Sequence, residues 1–232
     1  MKNILYLTMM AAGMVFAQTP TDPRVYSYIP GNENRSWQDM QIGTVFKDVP
    51  INGSPYTEDL YKMGIASVNG KKIRLLMRFD AYNDQIEMVD KKQKSFNLLK
   101  KKDIDAQFEG KTYKVVDFRD HGETSLVYVN PLNEGQVVLY FKPRKVFVQA
   151  QKPETGYDDY QPPRYKDDNI YLIQRKGEPA EEIRLAKGPF LRYLRDRAPA
   201  LKDYISDRDL DLKTEEDAVE LLNYYNSLNQ SS

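Results

Sequence analysis

Ile65-Ala66-Ser67-Val68-Asn69-Gly70-Lys71-Lys72-Ile73-Arg74-Leu75-Leu76-Met77-Arg78-Phe79-Asp80-Ala81 is the stretch whose reading decides the fold. Ile73, Leu75, Met77 and Phe79 fall on every second position with Lys72, Arg74 and Arg78 opposite, the period of a strand that buries one face. Only Leu76 breaks the alternation. Asn69-Gly70 is a two-residue hairpin signal, because both residues tolerate positive φ. Residues 65–68 are therefore expected to pair with the strand that follows.

Working outward, Asn83-Asp84 offers a second tight turn, after which Ile86 and Met88 alternate with Gln85 and Glu87. Segments 95–99, 104–108, 113–118, 126–129 and 137–141 carry β-branched or aromatic residues between Gly, Asn and Asp turns. Gly110-Lys111 and His121-Gly122 mark two of the reversals. Pro143 interrupts the apolar run 137–150 and predicts a bulge, kink or edge, since proline cannot donate to a central ladder. Residues 152–166 shift to Pro, Asp, Gly and Tyr and read as a surface loop. Segments 169–173 and 182–185 then make one more hairpin around Gly177-Glu178-Pro179.

The ending changes period. Pro189 stands at a first helical position with Phe190, Leu191 and Leu194 on one face. Pro199 opens a second helix that buries Leu201, Tyr204 and Ile205. Thr214-Glu215-Glu216-Asp217 is an acidic helix start with a capping residue, a capping box with Asp in the fourth place. Ala218, Leu221, Leu222, Tyr225 and Leu228 form the stripe of that last helix. Helices this short are marginal alone, so they must pack on each other or on the sheet. The expected class is α+β: an antiparallel β meander, as a sandwich or partly closed barrel, followed by a small C-terminal cluster of short helices. The expected organisation is a signal peptide at 1–17, an extended leader at 18–40, a β domain at 41–187 and a helical subdomain at 188–228.

The signal-peptide reading rests on Lys2, then the charge-free run 4–16, then Ala17 before Gln18 and Pro20. Cleavage is expected after Ala17. The run is shorter than the roughly 20 residues that a transmembrane helix needs. Export usually permits disulfides, yet the chain has no Cys, so stability must come from the core, and lipid attachment at a new N-terminal Cys is excluded. Removing Lys2 leaves 33 basic and 34 acidic residues, a net charge of −1. That balance argues against nucleic acid and against an anionic membrane, which both reward a basic surface. The short lysine runs at 91–92 and 100–102 read as solvated turns.

No phosphate-binding loop, dinucleotide glycine fingerprint, nucleophile elbow, zinc-protease helix or Ser-x-x-Lys motif is present. Asp207, Asp209 and Asp211 alternate like the front of a calcium loop, but Leu212 stands where such a loop requires Gly and Ala218 where it requires Glu. The single histidine, His121, sits at a turn and reads as solvated rather than metal-bound. We expect no cofactor and no metal. The unusual feature is 17 Tyr against one Trp. Tyr157, Tyr160 and Tyr165 fall in the expected loop and are the candidate ligand- or partner-binding residues, since exposed Tyr suits a protein surface or a glycan. The alternative is that these rings fold back over the sheet as a lid.

Phe190-Leu191, the segment 199–205, Leu212-Lys213, Glu216-Asp217, Leu221 and Tyr224-Tyr225-Asn226-Ser227-Leu228 together resemble the ending of a family of exported Bacteroidota proteins of unassigned function. Asn52-Gly53-Ser54-Pro55-Tyr56 and Tyr82-Asn83-Asp84 resemble motifs of the same family. The resemblance implies a Gram-negative envelope location and nothing catalytic. With the sequence closing soon after the last helix, the expected location is the periplasm. The expected function is a non-catalytic envelope module that binds another protein or serves an assembly. A carrier of an apolar ligand such as a lipid, or a glycan-binding or glycan-active protein, are the alternatives.

Overall fold

The computed structural model describes residues 50–90, 92–151 and 159–228. The signal peptide, the leader and the first residues of the expected β domain, 41–49, lie outside the described residues.

Strand β1 (Lys62–Val68) and strand β2 (Lys71–Asp80) form the expected hairpin, with Val68 opposite Lys71. Its turn has Asn69 at φ +50° and Gly70 at φ +76°, which explains the Asn-Gly pair. β3 (Gln85–Val89) and β4 (Ser95–Asn97) extend the sheet on the β2 side. β4 is shorter than the segment 95–99 suggests, because Leu98 leaves the strand to bury itself in the core. The chain then crosses back, and β5 (Ile104–Phe108) pairs with the other edge of β1, Ile104 opposite Val68. β6 (Lys111–Asp120), β7 (Glu123–Pro131) and β8 (Val137–Lys142) follow in order.

Pro143 ends β8, and β9 (Lys145–Val148) leaves the main sheet for a two-stranded sheet with β10 (Arg164–Asp167). Part of the expected loop 152–166 is therefore strand, with Tyr165 opposite Phe147. A local composition rich in Pro and Asp hides a strand when its partner supplies the ladder. β11 (Ile170–Arg175) and β12 (Glu181–Ile183) form the last hairpin. The main sheet has ten antiparallel strands in the order β12-β11-β8-β7-β6-β5-β1-β2-β3-β4 and curls into a half-barrel.

β6 serves two cores. Its first half, with Tyr113 and Val115, faces the side that also buries Met77, Phe79, Ile86, Ala106 and Tyr128. Phe108 and Tyr113 stack there at 4.5 Å, and Phe79 lies 5.0 Å from Tyr113. Its second half contributes Val116 and Phe118 to a core on the opposite face, with Val127, Val129, Tyr140, Ile170, Leu172 and Ala180. The chain entering β12 closes this second core: Arg119 N–H donates to Ala180 O at 2.9 Å, and Ala180 N–H donates to Asp117 O at 2.7 Å. Both interiors are filled with side chains, each worth roughly 1.5–3 kcal/mol when fully buried.

The helices cover the remaining face. α1 (Lys187–Tyr193), a 3₁₀ turn at Arg195–Arg197, α2 (Ala198–Asp207) and α3 (Glu215–Leu228) bury Phe190, Leu194, Leu201, Leu221 and Tyr225 against Val137, Leu139 and Ile173. They form one compact unit with the sheet. The capping box at α3 is half made. Asp217 N–H donates to Thr214 Oγ1 at 3.2 Å, but the Asp217 carboxylate accepts from Asp211 N–H at 2.7 Å instead of returning to Thr214.

Candidate functional site

Of the three tyrosines nominated by sequence, Tyr157 lies outside the described residues. Tyr160 is exposed, close to the isolated bridge between Gln151 and Gln161. Tyr165 is half-buried in β10, edge-on to Tyr82 and to Phe147 at 5.3 Å each. Burial, then the neighbouring Tyr82 and Asp80, push its hydroxyl pKa up. Tyr165 is thus engaged by neighbouring rings, and among the described residues no ring contact joins it to the exposed Tyr160.

His121 sits at the tip of the β6–β7 hairpin with φ +46° and a fully solvated ring, Asp120 Oδ1 standing 3.6 Å away. Among the described residues, no group of three or more His, Asp or Glu is arranged to hold a metal ion. In the segment 207–211, Asp211 accepts from Lys213 N–H and Asp209 takes a left-handed turn conformation, so these carboxylates shape the loop before α3.

Two polar clusters hold the sheet. Arg78 on β2 lies 3.5 Å over the Tyr56 ring and 4.4 Å over the Tyr61 ring. Glu87 on β3 accepts from Arg78 Nε at 2.8 Å and from the hydroxyls of Tyr61 at 3.0 Å and Tyr56 at 3.1 Å. Burial and the adjacent carboxylate push Tyr56 up to about 12. Every group in this clamp is engaged, so it ties the entry segment to the sheet and offers a ligand nothing. In the second cluster, Asp84 takes Lys142 at 2.9 Å and Lys100 at 2.7 Å.

A cleft of about 1110 Å³ runs between β12 and the α1 segment. Arg175 lines it. Its Nη1 donates to Tyr225 Oη at 2.8 Å, its Nη2 stands 3.5 Å from Asp196 Oδ1, and Tyr225 Oη donates to Asp196 Oδ2 at 2.8 Å. This closed loop fixes the Arg175 guanidinium, and the Tyr225 bond raises its pKa further. Around the rim stand Arg184, Arg192 and Arg195, which form no ion pair among the described residues. The acids of the lining are unequal: Asp196 is held by Arg175 and Glu181 by Arg119 at 3.0 Å, which leaves Glu178 and Glu182. Tyr193 also lines the cleft, and burial raises its hydroxyl pKa, so it stays a protonated donor at neutral pH. Three free guanidiniums around a fixed one suit bidentate binding of carboxylates.

A second cleft, about 810 Å³, lies beside the β5–β6 turn and the start of α3. Asn130 borders it with its amide donated to Thr112 O at 2.9 Å and its Oδ1 buried without a partner.

The sequence carries one signal for the first cleft. Within 190–195, Phe190 and Leu194 are buried, while Arg192 and Arg195, three apart, lie on the other side of the turn. Arg175, at the end of β11, and Arg184, just past β12, could not be added from spacing. Comparison with protein-family models, with curated protein sequences and with solved structures gave no match.

Proposed function

We propose that this chain is a non-catalytic binding module of the Gram-negative cell envelope, exported by its first 17 residues, that receives an extended acidic segment of a protein partner in the cleft between β12 and α1. The cleft is the single observation that carries the reading: Arg184, Arg192 and Arg195 stand unpaired among the described residues around Arg175, which Tyr225 and Asp196 hold in place. Glu178 and Glu182 give the same cleft a contact for a basic residue within the segment. The filled interiors of both β cores direct a ligand to the surface. Export is supported by the order of Lys2, the apolar run 4–16 and Ala17, and the envelope location by the resemblance of the C-terminal motifs to exported Bacteroidota proteins.

Anisotropy of a fluorescent oligoglutamate peptide titrated with the protein tests it. The wild type should bind and the R192E/R195E variant should not, with both folding alike by circular dichroism. Equal binding by the two, or none by the wild type, overturns the reading. The R192K/R195K variant keeps the charge but loses the fork geometry, and should fall between them.

A further inference from the structure

The side chain of Asn130, near the end of β7, is buried and half satisfied. The residue is 6 % exposed, its Nδ2 donates to Thr112 O on β6 at 2.9 Å, and its Oδ1 has no partner among the described residues. Buried side-chain acceptors in folded proteins are as a rule paired, so an orphan of this kind calls for a donor from outside the fold. Asn130 borders the second cleft, whose volume of about 810 Å³ falls in the range of small-molecule sites, about 300–1,000 Å³.

Phe141 on β8 stands directly across the strand pair from Asn130, which puts ring and amide on one face of the sheet with their Cβ atoms about 5 Å apart. Phe141 lines the same cleft and is half-buried, its ring 5.7 Å from that of Tyr171. Pro131 and Leu132 add apolar surface to the lining. This wall is held in place by Asn133, whose Nδ2 donates to Val137 O at 3.0 Å and whose Oδ1 accepts from Leu139 N–H at 2.7 Å. A ligand therefore meets a site that is already ordered.

The polar part of the lining carries both signs. The side chains of Asp105, Gln107, Lys111, Lys114 and Glu134 form no ion pair or hydrogen bond among the described residues. Glu215, at the start of α3, also lines the cleft and accepts from the Tyr171 hydroxyl at 2.7 Å. Three carboxylates thus stand against two ammoniums, and a fully charged ligand of either sign meets like charge. A neutral ligand rich in hydroxyls can use both, donating to the carboxylates and to Asn130 Oδ1 and accepting from the lysines.

We propose that this cleft binds a short neutral saccharide, one face of a sugar ring lying on Phe141 and its hydroxyls taken by Asn130 and the free polar groups. A pyranose has an apolar C–H face and an edge of hydroxyls, which matches an aromatic ring set beside an amide and mixed charges. Asn130 Oδ1 is covered in this conformation, so a hydroxyl reaches it as the side chains around it move aside. The site shares no lining residue with the arginine cleft, and the proposal does not depend on that cleft.

Saturation-transfer difference NMR of the full chain titrated with maltotriose, cellotriose and triacetylchitotriose tests it. The carbon-bound ring protons of at least one of these sugars should receive saturation from the protein, and that sugar should shift the side-chain amide signals of Asn130. Gln107 and Glu134 are exposed, so Q107A/E134A should fold as the wild type does. It should weaken binding about tenfold, as the loss of one or two net hydrogen bonds implies. F141A removes the ring and should weaken binding at least as much. No transfer to any of the three sugars, equal binding by wild type and Q107A/E134A, or transfer to a capped tri-serine peptide in their place would each overturn the proposal.

Discussion

The carboxylate of Asp84, on the turn between β2 and β3, holds the buried ammonium of Lys142 on β8 at 2.9 Å across 58 residues of chain. It lies where the half-barrel is thinnest: β7 and β8 pair only through Asn130 with Phe141 and Pro131 with Tyr140. Asp84 also accepts from Tyr128 N–H at 3.3 Å, which points away from β6. Burial drives the Lys142 pKa down and Asp84 opposes it. Asp84 thus closes a gap that backbone pairing leaves open.

Removing one partner of a buried pair strands the other charge. D84N keeps a residue that tolerates the left-handed turn, where Asp84 has φ +54°, and isolates the electrostatic loss. It should destabilise the protein by about 3–5 kcal/mol, whereas K142M, which removes the buried charge itself, should cost less. Urea unfolding of the two variants and the double variant gives the order.

Asn226 on α3 acts as an extra strand neighbour for β8. Its Oδ1 accepts from Val137 N–H at 2.9 Å, and its Nδ2 donates to Val137 O at 2.9 Å and Glu134 O at 3.1 Å. N226A leaves the buried Val137 N–H without its partner, while Val137 O keeps Asn133 Nδ2 at 3.0 Å, and should cost about 1–3 kcal/mol. Gly135 shares the site, with φ +133° and room taken by Asn226, whose Nδ2 would lie 2.5 Å from an added Cβ. G135A should lower the melting temperature too, and the two losses should not add, as calorimetry of the double variant would show.

Glu109 has one carboxylate oxygen buried without a partner, and burial, then Glu58, raise its pKa above 4.5. The folded state therefore holds this proton more tightly than the unfolded chain. Its effect is absent below the unfolded value and costs stability as pH rises through the folded one. E109Q should be more stable than wild type at neutral pH and indistinguishable from it below about pH 4.5. Thermal melts at both pH values decide.

Glu87 behaves oppositely. Burial alone would raise its pKa, but the hydrogen bonds from Arg78, Tyr61 and Tyr56 outweigh it and hold it below 4.5. Its contribution is present above the unfolded value and is lost as pH falls through the folded one. E87Q should be less stable than wild type at neutral pH, and the gap should close in acid. An unchanged gap in a pH series of unfolding curves would contradict this.

Much of the strand order along the chain is legible in the sequence. The alternation through Ile73, Leu75, Met77 and Phe79 identifies the concave face of β2, and Asn69-Gly70 places its hairpin. Alternation reports which face is buried but not which strand is the neighbour, so β5 returning to β1 rather than pairing with β4 is not legible. Nor is the double role of β6, because Val115 and Val116 are both buried, on opposite faces. Pro143 signals an interruption, and only the structure shows that the chain changes sheets there. The tyrosines drew attention through their number, yet Tyr165 is engaged by neighbouring rings. The arginine cleft is not legible as a whole because its members come from β11, the exit of β12 and the α1 segment, and local spacing joins only Arg192 and Arg195.

The central structural claim is that β6 is shared, its first half closing one core and its second half another through Ala180. Amide hydrogen exchange of the full chain measures this at Arg119 and Ala180, whose N–H groups make the closing bonds. Protection at both comparable to that of Val127 in β7 is the expected result. Exchange at both as fast as at the hairpin tip, His121, would contradict it, leaving the second core open and β12 unattached to β6.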